Sequence, residues 1–234
     1  MYCYKKMFLC IALAMSLTLT GFTNTKVNYS KLNVPQYKFT DDVVKDAYVI
    51  QYDDFKIAQP YKQSNKQVLT YKQVAEEFQK LPKTLTKNVN EIQLLDYNSF
   101  QDKYWSEAYG IKDFKSYAKG GEKQICFYAN SQFDISTNNN FKIAMIHELG
   151  HILDETISDI NNRYSNTTEW ILIMGKDLDN KDGSYGLYCS EYAKKSASSI
   201  EDFAESVTQY VIDNEEFTKD YPNRSKKLNE LGIL

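Results

Sequence analysis

Both histidines of this chain stand in one pentapeptide, His147-Glu148-Leu149-Gly150-His151. Side chains four apart on an α-helix share a face, so this spacing aims two imidazoles at one point and sets Glu148 one position round from them. The flanks, residues 141–146 and 152–155, contain no proline or glycine and space their apolar residues with helical period. The pentapeptide is therefore expected on a helix. There Phe141, Met145, Ile146, Leu149, Ile152 and Leu153 form an apolar stripe, with His147, His151 and Asp154 on the other side. The histidines then face open water or a cleft roofed by another part of the chain, and the pattern points to a bound metal, zinc above all.

A chain of 234 residues fits one large domain or two small ones. No Pro/Gly/Ser-rich linker interrupts residues 27–234, so a single domain over residues 25–234 is expected. The start differs: Lys5 and Lys6 precede an apolar run over residues 7–19 and a polar stretch over residues 20–25, the order of a secretory signal peptide, placed here at residues 1–24. That run is too short to span a bilayer as a mature helix. Cys10 lies inside it and is not read as a lipid anchor. A secreted, extracellular protein with no membrane span is expected. Loss of Lys5 and Lys6 leaves 26 basic against 31 acidic side chains, a net charge of −5, and no basic stripe, which argues against nucleic acid as a partner. Of the four cysteines, Cys126 and Cys189 remain after signal removal; outside the cell they can form one disulfide or stay as two buried thiols.

Residues 27–60 read as a strand preceded by an extended segment. A helix follows from Thr70, where Thr70 and Gln73 make a capping box, Tyr71, Val74, Ala75, Phe78 and Leu81 supply the apolar face, and Pro82 ends it. Residues 91–97 read as a short strand, residues 98–121 as an irregular insertion, and residues 124–130 as a second apolar strand beside the cleft. Residues 168–174 begin another helix. Residues 177–183 superficially look like a calcium loop, but Lys181 occupies a ligand position and Gly183 comes one place late, so they read as a solvated acidic turn. Residues 199–213 are helical and lead into a charged helical tail.

A catalytic zinc with two histidine ligands needs a third protein ligand and an open fourth position. There is no third histidine: Ile157 stands where a metzincin would have one, and Asp154 stands in place of that pattern's glycine. The third ligand is therefore sought among carboxylates. Glu201 and Glu205 lie four apart, beside the stripe of Ile200, Phe203, Ala204, Val207 and Val211, so one can bind metal while the other holds an imidazole by its second nitrogen. The ordinary alternative makes Ser198 and Glu201 a capping box and Glu205 a solvated side chain. A second candidate is Asp182 in Asp182-Gly183-Ser184-Tyr185-Gly186, which resembles part of the aspzincin motif without its preceding Gly-Thr.

The set His147-Glu148-Leu149-Gly150-His151, Ser190-Glu191-Tyr192-Ala193 and Glu201-Asp202-Phe203-Ala204-Glu205-Ser206 resembles the peptidase domain of anthrax lethal factor and its relatives, among them the secreted Pro-Pro endopeptidases; the resemblance covers roughly residues 65–230. It implies an α+β zincin-like metallopeptidase domain with a small mixed sheet, an active-site helix and a mostly helical C-terminal half. It also implies that His147, His151 and Glu201 ligate zinc, that Glu148 is the general base, and that Tyr192 donates a hydrogen bond in the transition state. Tyr192 lies nine residues before Glu201, farther than in some relatives, which keeps Tyr185 and Tyr188 as alternatives. Glu205 as the partner of a ligand imidazole follows from helical spacing alone. The expected activity is that of a monomeric, secreted zinc metalloendopeptidase, in which Glu148 activates the zinc-bound water against an extended protein or peptide substrate paired with the edge of the 124–130 strand. A noncatalytic zinc-stabilised binding module or toxin component is the alternative; it leaves Glu148 without a purpose.

Overall fold

In a computed structural model, which describes residues 29–39, 43–60, 69–110, 112–116, 118–128, 138–158, 163–178 and 184–234, six strands form one mixed sheet. They are β1 (Ser30–Lys38), β2 (Val43–Gln51), β3 (Lys56–Pro60), β4 (Glu91–Leu94), β5 (Ala118–Gly121) and β6 (Gln124–Phe127), in the spatial order β1-β2-β3-β4-β6-β5. The first three run antiparallel to one another. β4 joins β3 in parallel and β6 joins β4 in parallel, while β5 returns antiparallel on β6. Each parallel joint needs a crossover. The first is made by α1 (Tyr71–Gln79) and α2 (Lys83–Thr86), and the second contains α3 (Asp102–Tyr109).

α1 begins where its capping box predicts: the Thr70 hydroxyl accepts the Gln73 N–H, and the Gln73 side chain accepts the Thr70 N–H. Val74, Ala75 and Phe78 are then buried on one face. Residues 98–121 are only partly irregular. They hold α3 and β5, which the sequence reading missed because eight and four residues are too few to show a periodicity. The predicted 124–130 strand ends at Phe127, and Ala129 and Asn130 lie outside the described residues.

Strand alternation divides the core. Ile57, Ile92, Leu94, Ile125 and Phe127 turn toward the helices, whereas Ala47, Val49, Ala58, Cys126 and Tyr128 belong to a smaller cluster on the opposite face. Cys189 packs in the helical cluster. The sheet therefore stands between the two cysteines, both are free and buried, and the disulfide alternative is overturned.

From Asn138 onward the described residues hold only helices and turns. The elements are α4 (Asn138–Thr156), a short 3-10 turn (Tyr164–Asn166), α5 (Thr168–Lys176), α6 (Glu191–Ser196), α7 (Ser199–Ile212), α8 (Asn214–Asp220) and α9 (Pro222–Glu230). Trp170 of α5 is fully buried and meets Phe203 of α7 edge-on with ring centroids 4.8 Å apart, which packs α5 against α7. Asp177, expected in a solvated turn, is instead buried and paired with Arg224 of α9. Among the described residues no helix is long and apolar enough to cross a membrane; the proposed signal segment lies outside them.

Candidate metal centre

α4 carries His147, Glu148 and His151, and every residue from Ala144 to Asp154 is buried. The amphipathic reading was right about the apolar stripe, all six members of which enter the core, and it left the other side open between water and a cleft. The structure makes that side a cleft: α7 and β5 cover it, so His147 and His151 are each only 9 % exposed.

The cover depends on two glycines. A Cβ at Gly150 would stand 2.8 Å from the Ala204 Cα, so α7 approaches α4 as closely as it does only because both positions are small. A Cβ at Gly120 would stand 2.4 Å from the Glu148 carbonyl oxygen, which sets β5 directly against the motif. Glycine inside a helix costs about 0.5–1 kcal/mol relative to alanine. At Gly150 the added methyl meets backbone, and overpacking of that kind costs about 1–3 kcal/mol, so the clash outweighs the propensity gain. Gly150→Ala is thus expected to lower the denaturant midpoint and to weaken metal binding by moving α7 outward. A variant more stable than the parent, with unchanged metal affinity, would show that this contact does not set the separation.

α7 brings up both carboxylates. The Ser198 hydroxyl accepts the Glu201 N–H at 3.3 Å, so the capping serine starts the helix while the Glu201 side chain turns toward the histidines. Glu201 Oε2 lies 3.2 Å from His147 Nε2 and 3.5 Å from His151 Nε2. Glu205, one turn on, places Oε1 3.0 Å from His147 Nδ1. Ligand atoms from His147, His151 and Glu201 all lie within 4.8 Å of one another, and together they could hold a metal ion. The donors suit such an ion: two imidazole nitrogens and one carboxylate oxygen match borderline transition metals, whereas calcium and magnesium prefer all-oxygen sets. Glu205 engages Nδ1 and so leaves Nε2 of the same ring directed at the shared point. Among the described residues His151 Nδ1 has no such partner, so the two rings are held unequally.

Charge follows from this packing. Burial pulls His147 down, but the bonds to Glu201 and Glu205 outweigh it and carry its pKa well above the ordinary value in the metal-free chain. Burial also pushes Glu201 up, and the two histidines overcome it and hold the carboxyl far below the usual range. The raised His147 contributes stability that is complete below its unfolded pKa of about 6.5 and is lost as pH rises through the folded value; the depressed Glu201 contributes stability that is complete above about 4.3 and is lost on acidification. Chelator-treated protein should therefore unfold at a lower temperature at pH 9 than at pH 6. Equal melting temperatures at the two values would exclude this ion pair as a contributor.

Glu148 is buried beside the ligands, and desolvation raises its pKa against the pull of His147 and His151. The Gly120 backbone N–H donates to its carboxylate. Sequence reasoning missed Gly120, whose one visible signal was the Gly120-Gly121 pair in a stretch taken as irregular. Tyr192 sits in the first turn of α6, capped by the Ser190 hydroxyl, with its ring centroid 5.9 Å from that of His147. It is 45 % exposed and so faces the open side of the cleft. Of the alternative tyrosines, Tyr188 packs against the helical core and Tyr185 lies near Tyr221. The other proposed ligand, Asp182, falls outside the described residues.

No protein-family model matches this sequence, and no curated protein matches it.

Proposed function

We propose that this protein is a secreted zinc metalloendopeptidase with a zincin-like domain. The observation that carries the reading is the conjunction of a metal-capable His147, His151 and Glu201 group with a buried carboxylate outside that group, Glu148, next to it. A purely structural metal site needs ligands alone; a hydrolase also needs a base. The mixed sheet, the buried α4 and the helical second half support the fold assignment. Lys5, Lys6 and the apolar run behind them support secretion.

Zinc bound by His147, His151 and Glu201 would supply Lewis acidity, lowering the pKa of water and polarising the scissile carbonyl. Glu148 takes the proton of the attacking water and hands it to the leaving amine. Glu205 holds His147 in one tautomer. The Tyr192 hydroxyl donates to the oxyanion as it develops. β6 cannot pair with the peptide, because β4 and β5 occupy its two sides. The outer edge of β5, which packs against the motif through Gly120, takes that place in the reading, with an extended substrate adding a strand to it.

Cleavage of a peptide library by the zinc-loaded mature chain, with the chelated protein and Glu148→Gln as blanks, tests the proposal. No cleavage by a fully zinc-loaded chain would favour the binding-module alternative. Within the same assay Tyr192→Phe is expected to lower kcat by about 10²-fold or more with little change in KM, since its bond forms only in the transition state. A larger loss in Tyr185→Phe or Tyr188→Phe would reassign the donor.

A further inference from the structure

Arg224 is the most deeply buried cation among the described residues, 1 % exposed, although it comes from a tail that reads as charged and helical. Its Nε and Nη2 donate to the two oxygens of Asp202 at 3.2 and 3.0 Å, its Nη1 meets Asp177 at 3.3 Å, and Nη2 also donates to the Leu187 carbonyl at 2.6 Å. Asp202, fully buried and next in sequence to Glu201, also accepts the Cys189 N–H at 2.8 Å. The Cys189 carbonyl in turn accepts from the Tyr221 hydroxyl at 3.1 Å and the Gln209 amide at 3.3 Å. Residues 187–190 are thereby tied by backbone groups on both sides of Cys189, and the next residues form α6 with Tyr192.

Two carboxylates and a guanidinium withdrawn from water carry a desolvation cost that their attraction only partly offsets, and apolar side chains of similar size would hold the helices together at least as well. What apolar contacts do not supply is direction. A planar fork bonded to both oxygens of one carboxylate and to a backbone carbonyl fixes the distance and rotation of the parts it joins. Here those parts are the first turn of α7, which carries Glu201, and the loop into α6, which carries Tyr192.

We propose that Arg224 is a positioning residue: through the Asp202 carboxylate and the Leu187 carbonyl it sets where Tyr192 and Glu201 stand relative to each other. The Tyr192 half of this inference rests on the peptidase reading, whereas the Glu201 half requires only that the site bind metal.

Arg224→Met and Arg224→Lys, each checked for folding by circular dichroism, test it in two ways. The first is zinc affinity, measured by competition with a chromogenic chelator. It should weaken by about tenfold or more in both variants, as when a group supporting a metal ligand is removed, and lysine should not rescue because it lacks the fork. The second is a double-mutant cycle on cleavage. Arg224→Met, assayed at saturating zinc, should lower kcat by about 10²-fold with KM little changed, as for a misplacement near 1 Å, and should cost distinctly less in a Tyr192→Phe background, where the hydroxyl it positions is already gone and Glu201 alone is still displaced. Zinc affinity within about twofold of the parent, or equal losses in the two backgrounds, would overturn the proposal, because a general loss of stability predicts additivity. Should Arg224→Met fail to fold, Arg224→Lys is judged by the same two criteria. A parent protein that binds zinc and cleaves nothing would sink the peptidase reading and leave the affinity measurement to decide the placement of Glu201.

Discussion

Glu201→Ala is expected to abolish metal retention, Glu205→Ala to weaken it by roughly 10–100-fold, and Asp182→Ala to leave it nearly unchanged. The ranking follows from which atoms each carboxylate reaches. Glu201 Oε2 is within 3.5 Å of both Nε2 atoms, so it completes the three-ligand group, and two imidazoles alone are too few donors for tight binding. Glu205 reaches only His147 Nδ1, on the far side of the ring from the shared point. Its removal frees the tautomer and the rotation of one ligand without deleting a donor. Zinc affinities of the three variants, each with its circular dichroism spectrum, check the order. Metal lost in Asp182→Ala but kept in Glu201→Ala would require a different third ligand and a different role for α7.

Glu148→Gln should keep its zinc and its fold and lose nearly all turnover, a fall of about 10²–10⁴-fold or more in kcat, because an amide of the same shape cannot accept a proton from water. The substitution is mild for the fold. It removes a buried charge whose desolvation already raises the carboxyl pKa, and the side-chain oxygen can still accept the Gly120 N–H. One zinc per chain together with lost cleavage separates the base from the ligands on either side of it. Cleavage near the parent rate by a zinc-loaded Glu148→Gln chain would end the base assignment, whatever the state of the metal.

Local chemistry was legible in advance where a residue's role is settled by neighbours three or four positions away. The Thr70 and Gln73 capping box, the apolar face of α1, the helix bearing His147 and His151, and the pairing of Glu201 with Glu205 on one face all depend on helical spacing, which a sequence displays directly. Short elements were lost for the same reason: α3 and β5 give too little periodicity to see.

Long-range partners were the other gap. Nothing around Arg224 distinguishes it from the lysines of its tail, and its two carboxylates stand 47 and 22 positions away. The sheet order that buries β6 and leaves β5 at the edge, and the alternation that puts Cys126 and Cys189 on opposite sides of that sheet, arise only when strands distant in sequence pair. By itself, then, the sequence determined the longer helices α1, α4 and α7 and which side chains each presents on one face, since a repeat of 3.6 residues needs no partner. The tertiary structure alone decided which faces meet, because Gly150 against Ala204 and Gly120 against Glu148 are contacts between separate elements whose closeness exists only once the chain has packed.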